Sequence, residues 1–293
     1  MPDNDNLSRR RFLRATDGVA SAAALAGCTG GSDEADAETT TDAMTTGQAA
    51  ETTEDAAGDG DETVLELINA SMSTLDPVKA EDTASTEVTG QVFDGLLNYE
   101  NGGIPVETLL ADSYEESDDF TTYTFSIKQG ASFHENFGEV TAQDVVYSWE
   151  RLAASENSRA KDDILNSVGV VHETDDEGAY VPGSMAVEAV DDYIIRLEIQ
   201  QPFASVLQVL ANNQFAVVPE GIVGDVEGYD GELDYQTFAT ENPVGAGPFT
   251  FESWQKETEA SVSAFEDYHE AGPEVAGSTG GSSPTPTPGT TTR

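Results

Sequence analysis

The sequence predicts a mixed α/β or α+β fold. Three observations carry that prediction. Residues 121–128 alternate apolar and polar side chains with a period of two. Residues 141–152 repeat apolar side chains at helical spacing behind a capping signal. Strand and helix patterns then mix along the chain without the strict βα alternation of a parallel sheet.

Taken in order, structure begins near Thr63, and Val64-Leu65-Glu66-Leu67-Ile68 reads as a strand. Asn69-Ala70-Ser71 behind it is a glycosylation sequon. In 121–128, Tyr123, Phe125 and Ile127 share one face and Thr124, Ser126 and Lys128 the other. Thr141-Ala142-Gln143-Asp144 forms a capping box, and Val145, Trp149 and Leu152 follow at i, i+4 and i+7. A strand over 193–199 puts Ile195, Leu197 and Ile199 on one side. Pro202 is expected to open a second helix that buries Phe203, Val206, Leu207 and Leu210. Phe215 to Val218 reads as a short buried strand stopped by Pro219. Gly245-Ala246-Gly247-Pro248 is a tight turn into a strand marked by Phe249 and Phe251. From residue 275 to 293 there is no acid, although acids make up about one in five of the whole chain. That low-complexity Gly/Ser/Pro/Thr segment is expected to be a flexible tail: a natural linker or, the favoured reading, the result of a gene model that goes astray near residue 275.

Twelve basic and 56 acidic residues give a formal charge of −44 over 293 residues. Such a field repels nucleic acid and anionic headgroups. It reads as the solvated acidic shell of a halophilic protein. Four of the basic residues lie in the first fourteen positions, where Arg9, Arg10, Phe12 and Leu13 resemble a twin-arginine export motif. An Ala-rich stretch of signal-peptide length follows, then Leu25-Ala26-Gly27-Cys28, which resembles a lipobox. Residues 1–27 are thus expected to be a signal peptide read by the twin-arginine translocase. Cys28, the only cysteine, is the expected lipid attachment site. Residues 28–62, rich in Thr, Ala, Gly, Asp and Glu, have too little apolar surface to fold and read as a disordered tether.

Signals for catalysis are thin. His134, His172 and His269 stand far apart, and none has the spacing of a zinc site. There is no nucleophile elbow, and the Gly245–Gly247 turn lacks the lysine and hydroxyl of a phosphate loop. Neither metal nor other cofactor is expected, and an enzyme is unsupported.

Seven segments resemble, in order, the peptide/nickel family of ABC-transporter substrate-binding proteins (solute-binding family 5). They are Leu75-Asp76-Pro77, Val92-Phe93-Asp94-Gly95-Leu96-Leu97, Leu110-Ala111-Asp112-Ser113-Tyr114-Glu115, Tyr123-Thr124-Phe125-Ser126-Ile127-Lys128, Phe133-His134, Thr141-Ala142-Gln143-Asp144-Val145-Val146-Tyr147-Ser148 and Asn242-Pro243-Val244-Gly245-Ala246-Gly247-Pro248-Phe249. The resemblance covers residues 63–274. It implies a type II-like periplasmic-binding-protein fold, a two-lobe clamshell that closes on a solute and delivers it to a permease and its ATPase. Its residue-by-residue transfer makes Glu81 the partner of a peptide ammonium. Family members are longer, so the resemblance implies that only the first part of the clamshell is present, with a compact region over 98–217 and weak or no peptide binding by this chain alone.

The expected function is therefore that of a membrane-anchored, extracytoplasmic receptor for an oligopeptide, dipeptide or other small solute. The alternatives are a binding-incompetent truncated product or surface scaffold and, more distantly, a secreted hydrolase.

Overall fold

The computed structural model describes residues 64–69, 72–100, 103–256, 258–273 and 277–282, and for the first and last of these segments the backbone alone. The export motif at Arg9, Arg10, Phe12 and Leu13, the lipobox with Cys28 and the 28–62 tether lie outside the described residues.

Among the described residues, two four-stranded sheets and a hairpin make up the β-structure. The strands are β1 (Val64–Asn69), β2 (Leu97–Tyr99), β3 (Val106–Thr108), β4 (Ala111–Glu116), β5 (Thr122–Ile127), β6 (Val187–Asp191), β7 (Ile194–Glu198), β8 (Phe249–Gln255), β9 (Glu259–Ala264) and β10 (Gly277–Ser282). One sheet has the order β4-β5-β7-β6, all antiparallel. The other has the order β1-β10-β9-β8, in which β1 and β10 run parallel. Strands β2 and β3 pair separately. The helices are α1 (Thr83–Val92), α2 (Ala142–Ala154), α3 (Val206–Leu210) and α4 (Tyr235–Thr240). Among the described residues, no helix is long and apolar enough to cross a membrane.

The period-two pattern of β5 becomes a strict burial alternation. Tyr123, Phe125 and Ile127 are buried, and so are Ile195 and Leu197 beside them on β7. Helix α2 packs against β6 and β7 and buries Val145, Trp149 and Leu152, the stripe read from the sequence. Its N-terminus is held by the Asp144 carboxylate, which accepts from the Thr141 N–H and hydroxyl at 2.7 Å each. The other Asp144 oxygen accepts from the Glu220 N–H at 2.7 Å, so the cap also ties a distant loop.

Three expectations are corrected. The helix after Pro202 starts only at Val206, because the Val206 N–H closes a turn on the Phe203 carbonyl. Phe203 thus falls outside the helical register and stays 37% exposed. Ala216 to Val218 run buried but form no ladder. Val217 donates to the Asp94 carbonyl and Val218 to the Ser148 hydroxyl, so a loop and a helix take the bonds a strand would take. Gly277 to Ser282, expected in a flexible tail, form β10 between β1 and β9. Sheet pairing uses backbone N–H and C=O groups, which this Gly/Ser/Thr run offers whatever its side chains. Residues 283–293 lie outside the described residues. The buried core runs from Val78 to Val262 and so crosses both bounds of the 98–217 region.

Candidate functional site

The segment that leads into α1 is braced by a dense set of hydrogen bonds, and it carries Glu81. Its turn is set locally. Asp76 N–H donates to Thr74 Oγ1 at 3.0 Å, and the Asp76 carbonyl accepts from the N–H groups of Lys79 and Ala80. Ser85, in the first turn of α1, reaches back with its hydroxyl oxygen to accept from the N–H of Ser73 and of Thr74. Asp82 is the N-cap and accepts from Ser85 N–H, Ser85 Oγ and Ser73 Oγ at 2.6–2.8 Å. Burial alone would push the Asp82 carboxyl up, but these hydrogen bonds outweigh it and hold the group below the ordinary carboxylate range.

The second brace comes from α2. Arg151 is wholly buried and grips Asp76 with two parallel bonds, from Nη1 at 2.9 Å and Nη2 at 2.8 Å. The same guanidinium reaches Asp225 through Nε at 2.8 Å and Nη2 at 3.0 Å. Ser155 and Asn157 add donors to Asp225, and the guanidinium stacks 5.2 Å from the centre of the Phe238 ring. Burial by itself disfavours the charged guanidinium, but the two carboxylates overcome this and raise its pKa further. The Leu75-Asp76-Pro77 motif thus works as an anchor point, with Glu81 exposed at the far end of the anchored loop.

A third set of contacts fixes the Gly-rich turn. Gly247 N–H donates to the Val92 carbonyl at the end of α1 at 2.9 Å. A Cβ on Gly245 would sit 2.2 Å from the Val92 carbonyl oxygen, and one on Gly247 would sit 2.5 Å from that of Gln91. Only glycine permits this approach. His134 holds the turn from the other side: its backbone N–H donates to the Gly245 carbonyl and its ring Nε2 lies 2.9 Å from the Gly247 carbonyl. Nε2 therefore carries the proton. Burial pushes the imidazole pKa down and keeps it neutral. His134 is a structural brace here.

His269 has a similar task. Its Nε2 and the Tyr268 hydroxyl both meet Asp94 Oδ2, at 3.0 and 2.9 Å. His269 also lines an open cavity of about 530 Å³, together with Asp112, Lys128, Asp191 and Tyr193. Lys128 there is bonded to Glu270 at 2.9 Å. His172 bonds the Val170 carbonyl two residues away. Among the described residues, no group of His, Cys, Asp or Glu is placed to hold a metal ion.

The family profile described as bacterial extracellular solute-binding proteins, family 5, middle region, matches residues 105–282. The chain belongs to this family. The family 5 match runs past residue 275, where the acids stop. The glutathione-binding protein GsiB of Salmonella paratyphi A is 25% identical over 210 residues, which cover 71% of this chain and 36% of that protein. The probable D,D-dipeptide-binding periplasmic protein DdpA of Escherichia coli is 29% identical over 191 residues, or 64% of this chain and 33% of that protein. The chain thus spans about a third of the length of these curated relatives. The structure of the Escherichia coli murein tripeptide binding protein MppA superposes with a TM-score of 0.64 at 21% identity, covering 76% of this chain and 42% of MppA. The fold is that of the family 5 periplasmic binding proteins.

The motif residues were legible in the sequence, but the partners of Asp76 and Asp94 were not. Arg151 stands 75 residues from Asp76 and His269 stands 175 from Asp94. A lone arginine on the apolar side of α2 was the one available signal.

Proposed function

We propose that this chain works as an extracytoplasmic receptor for short peptides that passes its solute to an ABC permease and its ATPase. Export runs through the twin-arginine translocase, and a lipid on Cys28 holds the protein to the outer face of the cell membrane. The family match over 105–282 carries the reading. The ligands in the names of GsiB, DdpA and MppA (glutathione, a D,D-dipeptide, a murein tripeptide) favour a short peptide as the solute class. The role is binding without catalysis.

Glu81 is the proposed partner of the peptide ammonium. The braces at Asp76 and Asp82 fix the backbone on its N-terminal side and just after it, so little ordering entropy remains to be lost when the pair forms. Calorimetric titration with glutathione and with a di- to pentapeptide mixture is expected to give a saturable isotherm, however weak. An exposed ion pair contributes about 0–1 kcal/mol, so Glu81→Gln should weaken free-amine peptides by up to about fivefold. The same change should leave N-acetylated peptides unaffected. Absence of any saturable heat would favour a surface scaffold over a receptor.

The anchor has its own test. Cys28→Ser should release the protein from membranes or leave the precursor unprocessed. An intact mass showing unmodified Cys28 in membrane-bound protein would count against lipidation.

A further inference from the structure

We propose that the cavity of about 530 Å³ at one end of the β4-β5-β7-β6 sheet is a binding site for a linear aliphatic polyamine. All four strands of the sheet contribute to its lining, and Glu81 does not. The site therefore stands apart from the proposed peptide contact and does not depend on the receptor reading. Asp112 and Asp191 line the cavity, and both are exposed. Each lies at a bulge in an edge strand. In β4, Ala111 and Ser113 pair with the consecutive residues Ile127 and Ser126, which leaves Asp112 as the extra residue. In β6, Ala189 and Asp191 pair with the consecutive residues Ile195 and Ile194. Bulges of this kind re-aim side chains beside a site.

The two edges have β5 and β7 between them, so three strand spacings, roughly 14 Å, separate the two acidic positions. A single ammonium cannot meet both. A chain with an ammonium at each end can. The central strands supply Ile127 and Ile194, and the β6–β7 turn supplies Tyr193, as apolar surface for the methylenes between.

His269 is the independent observation. It lines the same cavity, and its side chain is 3% exposed. Its Nε2 lies 3.0 Å from Asp94 Oδ2, and a carboxylate only accepts, so Nε2 carries the proton. Nδ1 of the neutral ring is then an acceptor. Among the described residues it is buried with no hydrogen-bond partner. A buried acceptor left bare is costly, and an N–H from the ligand supplies the missing bond. Lys128, the cation in the lining, is already paired with Glu270 at 2.9 Å. Two carboxylates and an acceptor nitrogen thus remain for the ligand, which must bring positive charge and N–H donors. A polyamine brings both on one apolar chain.

The test is calorimetric titration of the full chain with spermidine and with the shorter putrescine. Spermidine should bind one per chain, and putrescine at least tenfold more weakly because its nitrogens stand too close together. Asp112→Asn/Asp191→Asn should weaken spermidine at least tenfold. Asp118→Asn/Asp176→Asn removes the same charge at exposed positions outside the cavity and should change it less than twofold. That control separates a site from the attraction of any polycation to a chain of charge −44. A readout on the unmutated chain is the long-range ¹H–¹⁵N spectrum of its three histidines, in which spermidine should move Nδ1 of His269 and leave those of His134 and His172 in place. No saturable heat, many spermidines per chain, equal weakening by the two double variants, putrescine binding as tight as spermidine, or an unmoved His269 signal would each overturn the proposal. Failure of the receptor reading shows separately, as the absence of peptide heat.

Discussion

Replacing Arg151 with Met should cost about 3–5 kcal/mol of stability, the penalty for leaving buried carboxylates without their counter-charge. Asp76 is fully buried, and the Asp225 side chain is 10% exposed. Among the described residues, the cation that grips both is Arg151, which makes two bonds to each. Methionine fills much of the same volume but returns none of those bonds. For a chain of this size the loss corresponds to a fall of roughly 6–20 °C in Tm, read by circular dichroism melts. Arg151→Lys should fall between the two, because an ammonium keeps the charge but cannot grip both carboxylates with a planar fork. Adding Asp76→Asn and Asp225→Asn to the methionine variant should recover part of the loss. If Arg151→Met melts within a degree or two of the wild type, the triad is not what holds the Asp76 loop to α2. The effect should also reach the proposed solute contact, since Glu81 sits on the loop that Asp76 anchors.

Gly247→Ala should destabilise by about 3 kcal/mol, at the upper end of what overpacking costs. The new methyl would lie 2.5 Å from the Gln91 carbonyl oxygen and 2.6 Å from the Val92 carbonyl carbon. Both are helix backbone atoms, so neither can swing aside as the end of a flexible side chain could. The turn must then lift off α1, which breaks the Gly247–Val92 hydrogen bond and draws the His134 brace with it. Gly272→Ala is the control, because a Cβ there meets no atom within 4 Å and should change stability by no more than about 0.5 kcal/mol. Chemical denaturation of the two variants side by side decides the matter. Equal midpoints would show that the turn does not rest on the end of α1.

Local pattern was enough to read the elements that carry their own period. The alternation of 121–128 gave β5 and its buried face, and the Val145, Trp149, Leu152 stripe gave α2. The reason is that burial on one face of a strand or helix is written into residues two, three or four apart. Where the pattern failed, a non-local bond overrode it. The apolar run at 215–218 satisfies β propensity, yet its backbone is claimed by Asp94 and Ser148. Phe203 fits the helical stripe, yet a turn shifts it out of register.

The mixed strand and helix order, the buried faces of β5, α2 and β7, and the run of motifs that marks the family are all written in the residue order. Those features depend on neighbours along the chain. Folding in three dimensions is what brings Asp76 and Asp225 onto one arginine, sets Asp94 against Tyr268 and His269, makes His134 a brace and lets Gly277 to Ser282 complete a sheet. Each of these joins groups about 75 to more than 200 positions apart, or relies on backbone hydrogen bonding that is the same for every residue type but proline. Composition and periodicity report how much a segment gains by burial. They carry no record of which distant carboxylate, carbonyl or strand edge will be waiting there.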